Sequence, residues 1–147
     1  MKIMVASSAG GHWVQMRRIL PAFDGFELFF VGVEPAPDPA LGDVRYYPVG
    51  NFTRKNPQAM LGAWRRLAGI VRAERPDLAV TTGAAPGLLA LLAARRAGCR
   101  TLWIDSLANT ERLSLSGRLA RPVADMRLTQ WEHLARPGGP AFWGAVL

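Results

Sequence analysis

Twice along this chain a short apolar run ends in a loop built almost wholly from the smallest side chains, and that repeated junction constrains the fold more than any other feature. Lys2–Ala6 runs into Ser7-Ser8-Ala9-Gly10-Gly11-His12, and Leu78–Thr81 runs into Thr82-Gly83-Ala84-Ala85-Pro86-Gly87. Runs of this length predict strands, and the residues after each loop have helical spacing. Beyond the first loop Trp13, Met16 and Leu20 recur on one helical face, with Pro21 expected to end it. Beyond the second, Pro86–Ala97 is almost wholly apolar and is followed by Gly98, a residue suited to the position past a helix end.

The alternation continues elsewhere. Phe26–Val33 reads as a strand covered on both faces, Glu34–Asp43 as a Pro/Ala/Gly/Asp loop, and Arg45–Val49 as a third strand. Asn56-Pro57 predicts a helix start, a capping side chain followed by proline at the first helical position. Met60, Trp64, Leu67 and Val71 then form one apolar stripe, which Pro76 is expected to close. Arg100–Ile104 and Met126–Thr129 read as further strands, Leu113–Arg121 as a short amphipathic helix broken by Pro122, and Phe142–Leu147 as a candidate final strand. Strands alternating with helices specify an α/β fold, a Rossmann-like parallel sheet with helices on both faces. With 147 residues, no internal repeat and no low-complexity linker, one domain over residues 1–147 is expected.

Composition narrows the function classes. Cys99 is the sole cysteine, which excludes an internal disulfide or a cysteine metal cluster and fits a reducing compartment. No His/Cys/carboxylate group has metal-ligand spacing and no D-x-D pair occurs, so no metal is expected. The apolar start Met1–Val5 is shorter than the roughly 7–15 residues of a signal peptide core. The longest apolar run, Ala84–Ala94, is interrupted by Pro86 and Gly87 and falls short of the roughly 20 residues of a membrane span. A cytosolic, non-spanning chain is the expectation. Lys and Arg number 18 against 11 Asp and Glu, and all the basic residues except Lys2 and Lys55 are arginine. Such an excess either attracts polyanions or coats a solvated surface; no nucleic-acid recognition motif accompanies it.

In a doubly wound sheet ligands bind outside the carboxyl ends of the strands, where both small-residue loops fall. Each loop is suited to bring backbone N–H groups and a helix N-terminus onto a phosphate; tight strand-to-helix turns are the other account of the same glycines. The dinucleotide fingerprint G-x-G-x-x-G is absent, and no G-K-[ST] follows either loop. His12, at the mouth of the first loop, is a candidate general base toward an acceptor hydroxyl, with hydrogen-bond capping of the loop as the alternative. Asp105 follows the strand Arg100–Ile104 and is a candidate to orient a substrate hydroxyl or His12, or else to cap the next turn. A hydrolase triad of Ser8, His12 and Asp105 lacks the G-x-S-x-G elbow, and His133 reads as a surface residue.

The stretches SSAGGH at Ser7–His12, TTGAAPG at Thr81–Gly87, WIDSLANTERLSLSGRLARPVADMRLTQW at Trp103–Trp131 and the ending FWGAVL carry a family resemblance. The sequence resembles the acceptor subunit of the eukaryotic asparagine-linked-glycosylation GlcNAc transferase, and still more the bacterial exopolysaccharide relatives of that subunit. The resemblance implies the N-terminal half of a GT-B glycosyltransferase whose two halves are separate chains. A small partner subunit would carry the nucleotide-sugar site, and this chain would supply acceptor site and membrane attachment. Inverting transfer to an undecaprenyl-pyrophosphate-linked saccharide, on the inner face of the cytoplasmic membrane, is the reaction implied. The resemblance implies no cofactor on this chain and no nucleic-acid partner.

The G-G-H loop is also similar to the first loop of the peptidoglycan GlcNAc transferase. That likeness implies that Ser8, Gly10, Gly11, Gly83 and Gly87 hold the lipid pyrophosphate and that His12 is the base, with Asp105 as orienter. The eukaryotic subunit carries an N-terminal anchor, whereas this chain begins at its first strand, so peripheral contact is expected. Arg112, Leu115, Arg118, Leu119 and Arg121 are candidates for membrane or partner contact, as is the helix after His12; ordinary packing is the alternative for both. A non-catalytic scaffold that activates a separate transferase is the second function class.

Overall fold

A strand that is apolar on both faces has one stable environment, the middle of a sheet covered on each side. The structure, a computed structural model, describes residues 1–34, 36–52 and 55–146. These residues form strands β1 (Lys2–Ser7), β2 (Glu27–Gly32), β3 (Tyr46–Pro48), β4 (Leu78–Thr81), β5 (Arg100–Ile104), β6 (Met126–Thr129) and β7 (Ala141–Phe142). All pairings among them are parallel, in the order β3-β2-β1-β4-β5-β6-β7. Four helices connect them: α1 (Gly11–Ile19), α2 (Pro57–Glu74), α3 (Ala84–Arg96) and α4 (Leu115–Leu119).

Side-chain alternation divides the core into two layers. On one face Met4, Phe29, Ala79 and Trp103 pack against Leu67 and Val71 of α2 and Leu91 of α3. On the other, Ile3, Val5, Val80 and Ile104 pack against Met16 of α1. The helices after β1 and β4 thus leave the sheet on opposite faces although these strands are neighbours, in register from Ile3 beside Leu78 to Ala6 beside Thr81. That divergence is the topological switch point of a doubly wound sheet, and it opens a crevice above the two strands.

Most element boundaries fall within a residue or two of the sequence expectation; the exceptions have local causes. The first helix does not stop at Pro21: α1 gives way at Leu20 to a tighter 3-10 turn, Leu20–Phe23, which accommodates a proline in its first turn. In α2, Asn56 accepts a bond from Ala59 N at 3.1 Å as expected, but the buried stripe is Ala63, Leu67, Ile70, Val71 and Glu74. Met60 is exposed, and Trp64 is half-buried with the Arg96 guanidinium 5.4 Å from its ring centroid. Helix α3 begins at Ala84, before Pro86, because the first helical turn needs no N–H from its residues. Helix α4 has five residues, since the Ser114 hydroxyl caps it by accepting from Gly117 N at 2.9 Å. The final strand is Ala141–Phe142 alone; Leu147, the end of the expected strand, lies outside the described residues.

Candidate functional site

The two small-residue loops leave β1 and β4 side by side and feed the N-termini of α1 and α3. Gly10 precedes α1 with φ +70°, a conformation an L side chain adopts only with strain, and Gly11 has open space where a Cβ would stand. The first-turn N–H groups of α1 have no acceptor within the helix and carry the positive end of its dipole. Ser8 and Ala9 of the first loop face Ala84, Ala85 and Pro86 at the head of α3 across an open cavity of about 470 Å³ that Glu34 and Phe52 also line. Beside it, Trp13 packs edge-on to Phe30 at 6.1 Å and bonds through its indole N–H to Asp38 at 2.8 Å, walling an apolar cavity of about 390 Å³.

His12 is half-buried between the loops. Its Nδ1 lies 2.9 Å from the Thr82 carbonyl oxygen, and the Thr82 hydroxyl donates to the His12 carbonyl at 2.8 Å. The ring lies against Gly83, where a Cβ would stand 2.9 Å from Cε1. Gly83 has φ +129°, and the next residue, Ala84, has φ +63°, a left-handed conformation that costs an alanine free energy.

Asp105 does not meet His12. Its carboxylate is 2% exposed and accepts from Trp103 Nε1 (3.0 Å), Asn109 Nδ2 (3.1 Å), Ser114 N (2.9 Å) and Ser114 Oγ (2.6 Å). Four donors fill both oxygens, so this carboxylate ties the loop after β5 to the start of α4 and has no lone pair directed at the cleft. The orienting partner of His12 is the Thr82 carbonyl. Gly87 likewise differs from the glycines around Gly10: a Cβ there would run into the Thr81 hydroxyl, so Gly87 lets α3 close onto β4.

Two glutamines that sequence reasoning passes over complete the frame. Gln15 Oε1 accepts from Leu107 N at 2.9 Å and from Gln130 Nε2 at 2.7 Å, while its amide donates to Ser106 Oγ at 3.0 Å. Gln130 Nε2 also reaches the Asp105 carbonyl at 2.9 Å, and its Oε1 accepts from Val146 N at 3.0 Å. This buried network joins α1, the β5 and β6 loops and the tail. The Q-W pair at Gln130-Trp131 is the only trace of it in the sequence.

Arg112, Leu115, Arg118, Leu119 and Arg121 are all exposed, Leu115 at 40% and Leu119 at 53%. Helix α4 packs inward through Gly117, and Ala120 just past its end is buried too, which leaves the two leucines, one turn apart, facing outward beside three guanidinium groups. On α1, Val14, Arg17 and Arg18 are exposed as well. His133 is exposed and bonds to the Thr110 carbonyl. Among the described residues no cluster of His, Cys, Asp or Glu could hold a metal ion, and no helix is long and apolar enough to cross a membrane.

A parallel sheet in this order, with glycine loops at its switch point, is a Rossmann-like domain similar in fold to the N-terminal domain of GT-B glycosyltransferases. MurG of Acinetobacter baumannii superposes with a TM-score of 0.78 over 96% of this chain and 45% of that one, at 14% identity. The UDP-N-acetylglucosamine 2-epimerase of Rickettsia bellii superposes with a TM-score of 0.73 over 99% and 45%, also at 14% identity. At such identities the likeness is one of fold. Residues 60–146 match the family described as "Oligosaccharide biosynthesis protein Alg14 like", and the chain belongs to that family. Among curated proteins it is similar to the UDP-N-acetylglucosamine transferase subunit ALG14 of Eremothecium gossypii, 48% identical over 60 residues. That match spans 41% of this chain and about a quarter, 26%, of the relative.

Proposed function

We propose that this chain is the acceptor-side subunit of a two-component inverting glycosyltransferase of polysaccharide biosynthesis. The observation that carries it is the convergence of two glycine loops, two helix N-termini and one histidine at the switch point of a GT-B-type half-domain. Membership of a family whose curated relative is named as a transferase subunit supports the division of labour. On this account the first turns of α1 and α3 hold the pyrophosphate of a lipid-linked acceptor through backbone N–H groups, with Ser8, Gly10, Gly11 and Gly83 leaving the approach clear. Gly87 serves helix packing instead. The acceptor hydroxyl oxygen bonds to the anomeric carbon of the donor sugar, the bond to the nucleotide diphosphate breaks, and the hydroxyl proton passes to His12. A nucleotide-sugar-binding partner supplies the donor, so this chain needs no cofactor. The outward leucines and arginines of α4 suit a peripheral contact with the anionic inner face of the cytoplasmic membrane or with the partner.

With Asp105 committed to the fold, His12 is the candidate base between the two loops, and its replacement separates this reading from a scaffold that activates another transferase. In the reconstituted pair, His12→Ala should lower kcat by about 10²–10⁴-fold, the usual contribution of a general base. Nearly full kcat with partner binding intact would favour the scaffold.

A further inference from the structure

A base accepts a proton only at a ring nitrogen that carries none, so the tautomer of His12 decides whether the site is competent at all. Nδ1 lies 2.9 Å from the Thr82 carbonyl oxygen, and a carbonyl oxygen can only accept. The hydrogen therefore sits on Nδ1, and the lone pair of the neutral ring sits on Nε2, for which no hydrogen-bond partner occurs among the described residues. Thr82 acts a second time: its hydroxyl donates to the His12 carbonyl at 2.8 Å, so one fully buried residue grips ring and backbone together. The local backbone serves this grip. Gly83 admits the ring where a Cβ would collide with it, and the positive φ angles of Gly83 and Ala84 turn the chain sharply after the Thr82 carbonyl.

We infer that Thr82 is the positioning residue of the crevice, holding His12 as the Nδ1–H tautomer with Nε2 unprotonated. The catalytic consequence rests on the proposal that His12 is the base; the tautomer itself does not. Thr82 acts through His12 and touches no reacting atom, so its side chain should affect turnover rather than acceptor binding.

The test is nitrogen-15 NMR of the full-length chain, with the exposed His133 replaced by asparagine so that one imidazole remains. At a pH where the ring is neutral, the wild-type site should show a protonated Nδ1 and an unprotonated Nε2. Thr82→Val keeps the carbonyl and should keep the Nδ1–H form, but without the hydroxyl grip the Nδ1 proton should exchange faster with solvent, and Thr82→Ser should restore the slow exchange. In the reconstituted pair Thr82→Val should lower kcat about tenfold at unchanged acceptor KM, the scale of one lost hydrogen bond, with Thr82→Ser recovering it. An Nε2–H tautomer in the wild-type chain would overturn the inference whether or not any variant folds, and so would a Thr82→Val variant whose Nδ1 proton exchanges as slowly as in wild type. His12→Gln separates the two claims: unchanged kcat in that variant would remove the base and leave the tautomer result standing.

Discussion

Gly117 lies flush against the buried carboxylate of Asp105: a Cβ at that position would stand 2.5 Å from Oδ1 and 2.9 Å from Trp103 Nε1. The contact explains why the chain has a glycine inside its shortest helix, where propensity alone disfavours one. Gly117→Ala must push α4 off the sheet or break bonds to Asp105, and should destabilise the protein by about 1–3 kcal/mol, the cost of overpacking a close contact. Arg118→Ala, exposed one residue on, should stay within about 0.5 kcal/mol of wild type. Urea denaturation of both variants checks the pair.

Glu74 predicts a pH dependence. It is buried at the end of α2 and accepts from the Tyr47 hydroxyl, from Lys2 Nζ at 3.0 Å and from Arg45 Nη1 at 2.9 Å. The Tyr47 bond, then Lys2 and Arg45, hold its carboxyl below the ordinary glutamate range against the opposing effect of burial. A depressed folded-state value means that stability is fully present above the unfolded value and is lost as pH falls through the folded one. Glu74→Gln should therefore cost about 1–2 kcal/mol near pH 7, less than a fully buried ion pair because Lys2 and Arg45 stay partly in solvent. The gap to wild type should shrink as pH drops below the ordinary glutamate value, because Glu74 is then protonated too. Urea midpoints at stepped pH values read this directly; a gap that holds constant into strong acid would contradict it.

Ala84 sits at φ +63° at the head of α3. Left-handed backbone costs an L residue about 1–2 kcal/mol and glycine almost nothing. Ala84→Gly should therefore raise stability by about 1 kcal/mol and with it the thermal midpoint. Gly83→Ala should act the opposite way, since its Cβ would meet the His12 ring.

Gln130→Ala should leave Gln15 Oε1 without its amide partner and Val146 N without its acceptor. A loss of about 1–2 kcal/mol is expected from the lost hydrogen bonds, since Leu107 N still serves Gln15 Oε1 and Val146 is only partly buried. Hydrogen exchange at Val146 should accelerate in this variant, because its N–H loses its acceptor while the Arg18 bond holds the Val146 carbonyl alone.

Legibility in the sequence depends on locality. β4, β5 and β6 match their expected bounds; in β4 and β5 burial on both faces leaves a largely apolar run with punctuation at its ends, whereas β6 is buried only at Leu128 and Thr129. Ser8–Gly10 and Thr82-Gly83 are readable as loops at the carboxyl end of the sheet, but Gly11-His12 and Ala84–Gly87, expected in the same loops, already belong to α1 and α3. Asp105 is misread as the orienter of His12, since a carboxylate after a strand looks alike whether it faces a cleft or a cap. The Thr82 clamp spans 70 residues and the Gln15–Gln130 bond 115, and contacts that long leave no periodicity to read. Spacing alone assigns Met60 to the stripe of α2, yet it lies too near the helix start to reach the sheet.

The central claim, a transferase divided between two chains, is tested most directly by sugar transfer on membranes from a radiolabelled sugar nucleotide. The assay uses this chain alone and then together with a nucleotide-sugar-binding partner subunit from the same source. Transfer to lipid-linked product only when both chains are present is the predicted result. Transfer by this chain alone would mean that it binds the nucleotide sugar itself, and would contradict the division.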